Sequence, residues 1–226
     1  TDERFRPVNL LTGPDGALYV IDLYRGIIQH RISLTTYLRE QIVKRGLDKP
    51  LALGRVWRIA PEGAVVALAK KLSAMTPAEL VAELASGNSW RRETAQRLLV
   101  EAAPDAALDA ALVALAKDSA SPMGRVHALW TLEGRGAVKA EAVLAGMAHA
   151  DPRVRAAAIR VSEALMASTD RDAIVARWTE LAAAEAVSEV QQQLALSIGE
   201  AKSLECDLAG AALITRAGEV AFIQDA

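Results

Sequence analysis

Asp151-Pro152-Arg153-Val154-Arg155-Ala156-Ala157-Ala158-Ile159-Arg160-Val161-Ser162-Glu163-Ala164-Leu165 is the stretch whose reading decides the fold. Asp151 can accept hydrogen bonds from the first amides of a helix, and Pro152 has the fixed φ that suits the first helical position. Val154, Ala158, Val161 and Leu165 recur at steps of four, three and four, which places them on one face of an α-helix. Arg153, Arg155 and Arg160 lie off that face.

The same design recurs. With Ala158 as anchor, the counterparts are Ala95 in Trp90–Leu99, Ala128 in Pro122–Leu132 and Leu194 in Ser188–Ile198, at offsets of 33, 30 and 36. A period in the thirties is the mark of helix pairs that stack to bury faces none can bury alone. The first helix of each pair is legible too. Thr76-Pro77-Ala78-Glu79 is a capping box, and Leu80, Val81 and Leu84 follow it as an apolar face. Pro104-Asp105 opens the next pair with Leu108, Leu112 and Leu115. Residues 137–149 pair with the Asp151 helix, and residues 170–184 with the Ser188 helix. Leu208–Thr215 reads as the start of a fifth unit, with residues 218–226 as the beginning of its second helix.

Composition agrees with a close-packed helical chain. Over 226 residues, 52% are hydrophobic and only 4% aromatic. Lys and Arg number 26 against 28 acids, so there is no electrostatic footprint for nucleic acid or an anionic membrane. The halves differ, with ten bases to six acids up to Arg58 and sixteen to twenty-two after it. Cys206 is the only cysteine and reads as a small buried apolar residue. No apolar run reaches the ~18 residues of a membrane span. Thr1-Asp2-Glu3 stands two residues before a strand, which suggests a piece of a longer protein.

The expected division is residues 1–60 and 61–226. In the first part, Phe5–Thr12 and Ala17–Leu23 read as strands joined at the turn Gly13-Pro14-Asp15-Gly16. Ser33 or Thr35 can cap a short amphipathic helix carrying Leu38, Ile42 and Val43 and ending at Gly46. Gly54–Ile59 reads as a third strand. Three strands with open edges need neighbours or a partner surface.

These residues carry a resemblance. Arg4-Phe5-Arg6-Pro7-Val8, Gly13-Pro14-Asp15-Gly16-Ala17-Leu18-Tyr19-Val20, Asp22, Tyr24 and Gly54-Arg55-Val56-Trp57-Arg58-Ile59 resemble the last β-propeller blade of the bacterial membrane-bound dehydrogenase family. That family is related to the quinoprotein glucose and sorbosone dehydrogenases, and in several members HEAT-like repeats and a c-type cytochrome domain follow the propeller. The resemblance implies a mainly α fold, a HEAT-like α-solenoid preceded by a small β segment. It also implies a place in the periplasm or cell envelope, and a parent that oxidises a sugar or alcohol using pyrroloquinoline quinone and calcium, with haem c as electron acceptor. The partners it implies are the remainder of the propeller and a cytochrome c domain or other protein.

In such enzymes an Arg-aromatic-Arg segment lies against the quinone carboxylates, so the resemblance points to Arg4 and Arg6 as cofactor-binding residues. In an extended strand residues two apart share a side, so the pair can converge on one anion; the alternative is two solvated charges at a strand entrance. Asp22, Tyr24 and His30 are candidate pocket residues, with Asp22 alternatively satisfying turn amides and His30 alternatively packing or surface. The base and calcium ligands of the relatives lie on other blades, and Cys-x-x-Cys-His is absent from the sequence, so the segment alone is expected to be inactive and to hold no cofactor. The insertion between Tyr24 and Gly54 is a departure from the soluble enzymes.

Arg92, Arg125 and Arg155 stand three residues before their anchors, with Gln191 in the fourth unit. Such a ladder either presents a basic groove to a partner or bonds loop carbonyls and acids of the neighbouring repeat. His127 and His149 lack metal-ligand spacing. The alternative function is a non-catalytic interaction scaffold of propeller and HEAT repeats. A link to helical-repeat lyases acting on phycobilins does not fit the N-terminal strands.

Overall fold

A computed structural model describes residues 2–63 and 70–217. The chain forms two compact units, Thr1–Ala69 and Lys70–Ala226. The fold is mainly α, with a small antiparallel sheet preceding the helices.

The first unit holds β1 (Pro7–Thr12), β2 (Leu18–Asp22), α1 (Thr36–Lys44) and β3 (Arg55–Ile59). The sheet order is β1-β2-β3, both pairings antiparallel, with Leu10 opposite Val20 and Val20 opposite Trp57. Among the described residues, the outer edges of β1 and β3 have no strand beside them. Side chains alternate between faces along a strand, and among the described residues both faces leave large apolar side chains exposed, although Val20 and Asp22 on the Leu10 face are buried. Leu10, Leu18 and Ile59 are exposed on one side, and Leu11, Ile21 and Val56 on the other. Helix α1 is capped by Thr35, whose Oγ1 accepts from Leu38 N, and it buries no residue; Val43 is 63% exposed. The expected strand start at Phe5 moves to Pro7, because Asp2 draws residues 3–5 into a turn through Arg4 N to Asp2 Oδ1 and Phe5 N to Asp2 O.

The second unit is a two-layer stack. First helices α2 (Pro77–Glu83), α4 (Ala106–Asp118), α6 (Ala140–Met147), α8 (Arg171–Ala184) and α10 (Leu204–Ala217) form one row. Second helices α3 (Ser89–Glu101), α5 (Pro122–Gly134), α7 (Pro152–Ser162) and α9 (Ser188–Ile198) form the other. Each second helix packs on its own first helix, and consecutive second helices pack on one another from α3 to α9. This is a helical solenoid of stacked pairs.

The anchors Ala95, Ala128, Ala158 and Leu194 are all fully buried, as are Leu99, Leu132, Val154 and Trp178. Helix α7 is buried more widely than one stripe, with Ala157 and Ile159 also inside, because α5, α6 and α9 all pack on it. Its α-helical run ends at Ser162, and the expected last turn to Leu165 is a 3-10 turn. Capping repeats with the period: Asn88, Ser121 and Asp151 each precede their helix by the same step and accept from its first turn. Val187 occupies the fourth position without a side-chain cap.

The fifth unit's first helix begins at Leu204, four residues before the expected Leu208, and its expected second helix at residues 218–226 lies outside the described residues. Cys206 is buried. Among the described residues no helix is long and apolar enough to cross a membrane.

Candidate functional site

In the first unit the polar groups gather around the end of β2. Asp22 is 1% exposed. Its Oδ1 accepts from Arg6 N and Tyr24 N, both at 2.8 Å, and its Oδ2 accepts from the Trp57 indole N–H at 2.9 Å. One carboxylate thereby ties the lead-in to β1, the end of β2 and the middle of β3. Burial pushes this carboxyl up, yet the hydrogen bonds from Trp57, Arg6 and Tyr24, with Arg55 nearby, hold it below the ordinary range. Asp22 is therefore a clamp, with both oxygens engaged.

Tyr24 follows with φ 43°, a left-handed backbone unusual for a bulky residue. Two contacts fix it there: its amide bonds Asp22, and the Arg55 guanidinium stacks 3.5 Å from its ring centroid. Asp15 pins the other end of the sheet by accepting from Arg58 Nε at 2.6 Å and Tyr19 Oη at 3.2 Å.

Arg4 and Arg6 meet at a backbone crossing. Arg4 Nη2 donates to Gly46 O (2.8 Å) and Lys49 O (3.2 Å). Arg6 donates to Phe5 O (3.0 Å) and, at 3.5 Å, to Gly26 O. Gly26 itself presses on the same segment; a Cβ there would stand 2.4 Å from Leu47 O. The two arginines thus converge, but on the carbonyls where residues 26 and 46–49 cross, which fastens the helical insertion to the strand. Arg4 Nε is buried without a partner. With Arg4 Nη2 and both Nη groups of Arg6 on carbonyls, the pair does not present two free forks to a quinone carboxylate.

His30 lies elsewhere. It is exposed, and its Nδ1 accepts from Ile32 N at 3.4 Å. It lines an open groove of 670 Å³ between the 25–30 segment and α1, with Ile27, Ile42, Leu47 and Leu51 in its apolar wall and Arg25, Arg39 and Asp48 as charged members. Asp22 and Tyr24 do not line that groove, so the structure separates His30 from them. Among the described residues no three His, Cys, Asp or Glu side chains gather as metal ligands.

In the solenoid the ladder has one geometry. Arg92, Arg125, Arg155 and Gln191 each donate to the carbonyl six residues earlier: Ser86, Ser119, His149 and Glu185, at 2.7–2.9 Å. Those carbonyls lie in the turn before each second helix, where backbone acceptors lack helical partners. Arg155 also forms a two-pronged pair with Glu185, at 2.8 and 3.0 Å. Burial pushes the Glu185 carboxyl up, and the bonds from Arg155, Val187 and Ala186 bring it below the ordinary range.

Three structural residues escaped sequence reasoning. Arg55 and Trp57 complete the Asp22 cluster; the cue was their alternation on β3, which puts both on the Asp22 face. Arg135, within the expected turn Gly134-Arg135-Gly136, buries its guanidinium on Asp109 Oδ1 and Leu99 O, each at 2.6 Å. No local pattern marks it, because its partners lie a repeat away.

Over residues 1–63 the chain is similar to a domain of unknown function, DUF7133. No curated protein and no solved structure matches the chain.

Proposed function

We propose that this chain is a non-catalytic scaffold segment, in which the first unit is a β-blade that packs against further β structure and the solenoid is a docking module. One observation carries the reading: a three-stranded sheet with open outer edges and large apolar side chains exposed on both faces. Such a sheet gains most of its stability from a covering surface. The charged groups support the same reading, since Asp22, Arg4, Arg6 and the arginine ladder all hold backbone together. On this reading the module belongs to a quinoprotein-like dehydrogenase of the cell envelope, and the repeats hold its haem partner in place; the strings quoted from residues 4–59 support that assignment. A scaffold in a parent without catalysis rests on the same geometry.

The experiment is binding of the apolar dye 8-anilino-1-naphthalenesulfonate to the native chain and to Leu10→Lys and Val56→Lys variants. The scaffold reading predicts dye fluorescence in the native chain that falls in both variants while the helical melting curve stays in place. A native chain that binds no dye would overturn it. Titration of the chain with pyrroloquinoline quinone and calcium separates the parents' chemistry: saturable binding lost in Arg4→Ala would show that the segment itself takes the cofactor, against the non-catalytic assignment.

A further inference from the structure

His127 stands on α5 and faces α3 with both ring nitrogens. Its Nε2 accepts from Arg92 Nε at 3.2 Å. With that nitrogen an acceptor, Nδ1 carries the proton and donates to Gln96 Oε1 at 2.7 Å. Arg92 and Gln96 are one turn apart on α3, so a single neutral tautomer of the ring stitches consecutive repeats together. Arg92 cannot turn away freely, because its Nη1 holds the Ser86 carbonyl at 2.7 Å in the ladder.

We propose that His127 is an acid-responsive latch between the first two helix pairs of the solenoid, closed when the ring is neutral and released when it is protonated. Protonation turns Nε2 into a donor that faces the Arg92 N–H, and sets two cations side by side. The charged groups that act on the ring are Arg92, which opposes its protonation, and Glu93, which favours it, both on α3. Burial, the largest cause, together with Arg92 outweighs Glu93 and keeps the ring below the ordinary histidine range. The sign follows from linkage. The opened state takes up its proton at the ordinary value of about 6.5, before the closed state does, so closure is fully stable above that pH and weakens as pH falls through the closed-state value. This joint is built from the repeat's own ladder, and the corresponding positions in the other second helices are Thr94, Ala157 and Gln193. Of these four only His127 can titrate near neutrality.

The test is hydrogen exchange of the full chain from pH 7.5 to 5, corrected for the intrinsic pH dependence of exchange, together with NMR titration of the His127 ring. The latch predicts that α3 opens up to about tenfold more readily for each pH unit between the two titrations, with α7 and α8 unmoved. His127→Gln keeps a donor and an acceptor and removes the pH response. Gln96→Glu places a carboxylate on Nδ1–H and raises the ring's titration, so the acid-induced opening is lost or reversed; it serves should the first variant fold poorly. A native ring titrating at or above the ordinary value, or α3 opening that still rises with acid in either variant, would overturn the proposal.

Discussion

The two units use apolar residues in opposite ways. In the solenoid, Leu99, Leu132, Ala158, Trp178 and Leu194 vanish from solvent because each helix pair is covered by its neighbours. In the sheet, Val20 and Ala17 are buried while Leu10, Val56 and Ile59 stay more than half exposed. Both units are apolar in sequence, but the solenoid closes over itself up to its last described helices, where Leu196, Leu204 and Leu208 stay exposed, and the sheet does not. Polar groups follow the same division. The solenoid's arginines satisfy turn carbonyls at a regular step, whereas the sheet depends on two aspartates, Asp22 and Asp15, that tie strands which packing alone leaves loosely held. Stability is therefore distributed along the solenoid and concentrated at single residues in the sheet.

The sharpest way to break this contrast is to delete one large side chain from each unit. Trp178→Ala removes a fully buried ring whose Nε1 donates to Ser162 Oγ at 3.1 Å, and should cost about 3–5 kcal/mol in urea unfolding followed by helical circular dichroism. Val56→Ala, on the open face, should change the same curve by less than about 0.5 kcal/mol. Equal losses would contradict the account. Overpacking comes next. A Cβ at Gly146 would lie 2.7 Å from the Ala158 methyl, so Gly146→Val should destabilise the α6–α7 pair by about 1–3 kcal/mol.

Gly26→Ala drives a methyl into the Leu47 carbonyl at the crossing held by Arg4 and Arg6. Its effect should be local: faster amide exchange in α1 with the solenoid's unfolding midpoint unchanged. A shift of that midpoint would show that the insertion matters to the whole chain.

Much of the solenoid was legible because its rule is periodic. The capping residues, the anchors and the arginine ladder sit at fixed steps, and a stripe of Val154, Ala158 and Val161 can form only one face of a helix. The hairpin was legible from Gly13–Gly16, whose last residue has φ 79°. What was hidden depends on contacts distant in sequence. The turn at Asp2 moved the strand start, and the extended spacing of Arg4 and Arg6 indicated a shared target without showing that the target is backbone. His30 and Tyr24 are close in sequence, yet the insertion carries His30 to the groove beside α1.

Two smaller effects sharpen the comparison from the solenoid side. Bonding to Arg153, together with the helix amide of that residue, holds the Asp151 carboxyl down to about 2. Because this is below the unfolded value of about 3.9, its contribution is complete above that pH and is lost as pH falls towards 2. Asp151→Asn retains a cap and should flatten that part of the acid-unfolding curve. Val187, the uncapped counterpart of Asp151, offers the reverse change. Val187→Ser should stabilise α9 by roughly 0.5–1 kcal/mol, read from thermal unfolding.

The central claim is that the helical stack is self-sufficient while the sheet awaits a cover, and native-state hydrogen exchange across the full chain tests it most directly. The account predicts that amides of α5, α7 and α8 exchange only through global unfolding. Amides on the open edge of β1, such as Leu10 N–H, which turns to Asn9 Oδ1, should exchange early through local opening. Protection of Leu10 equal to that of Ala158 would contradict it, and would mean that the sheet is complete as it stands.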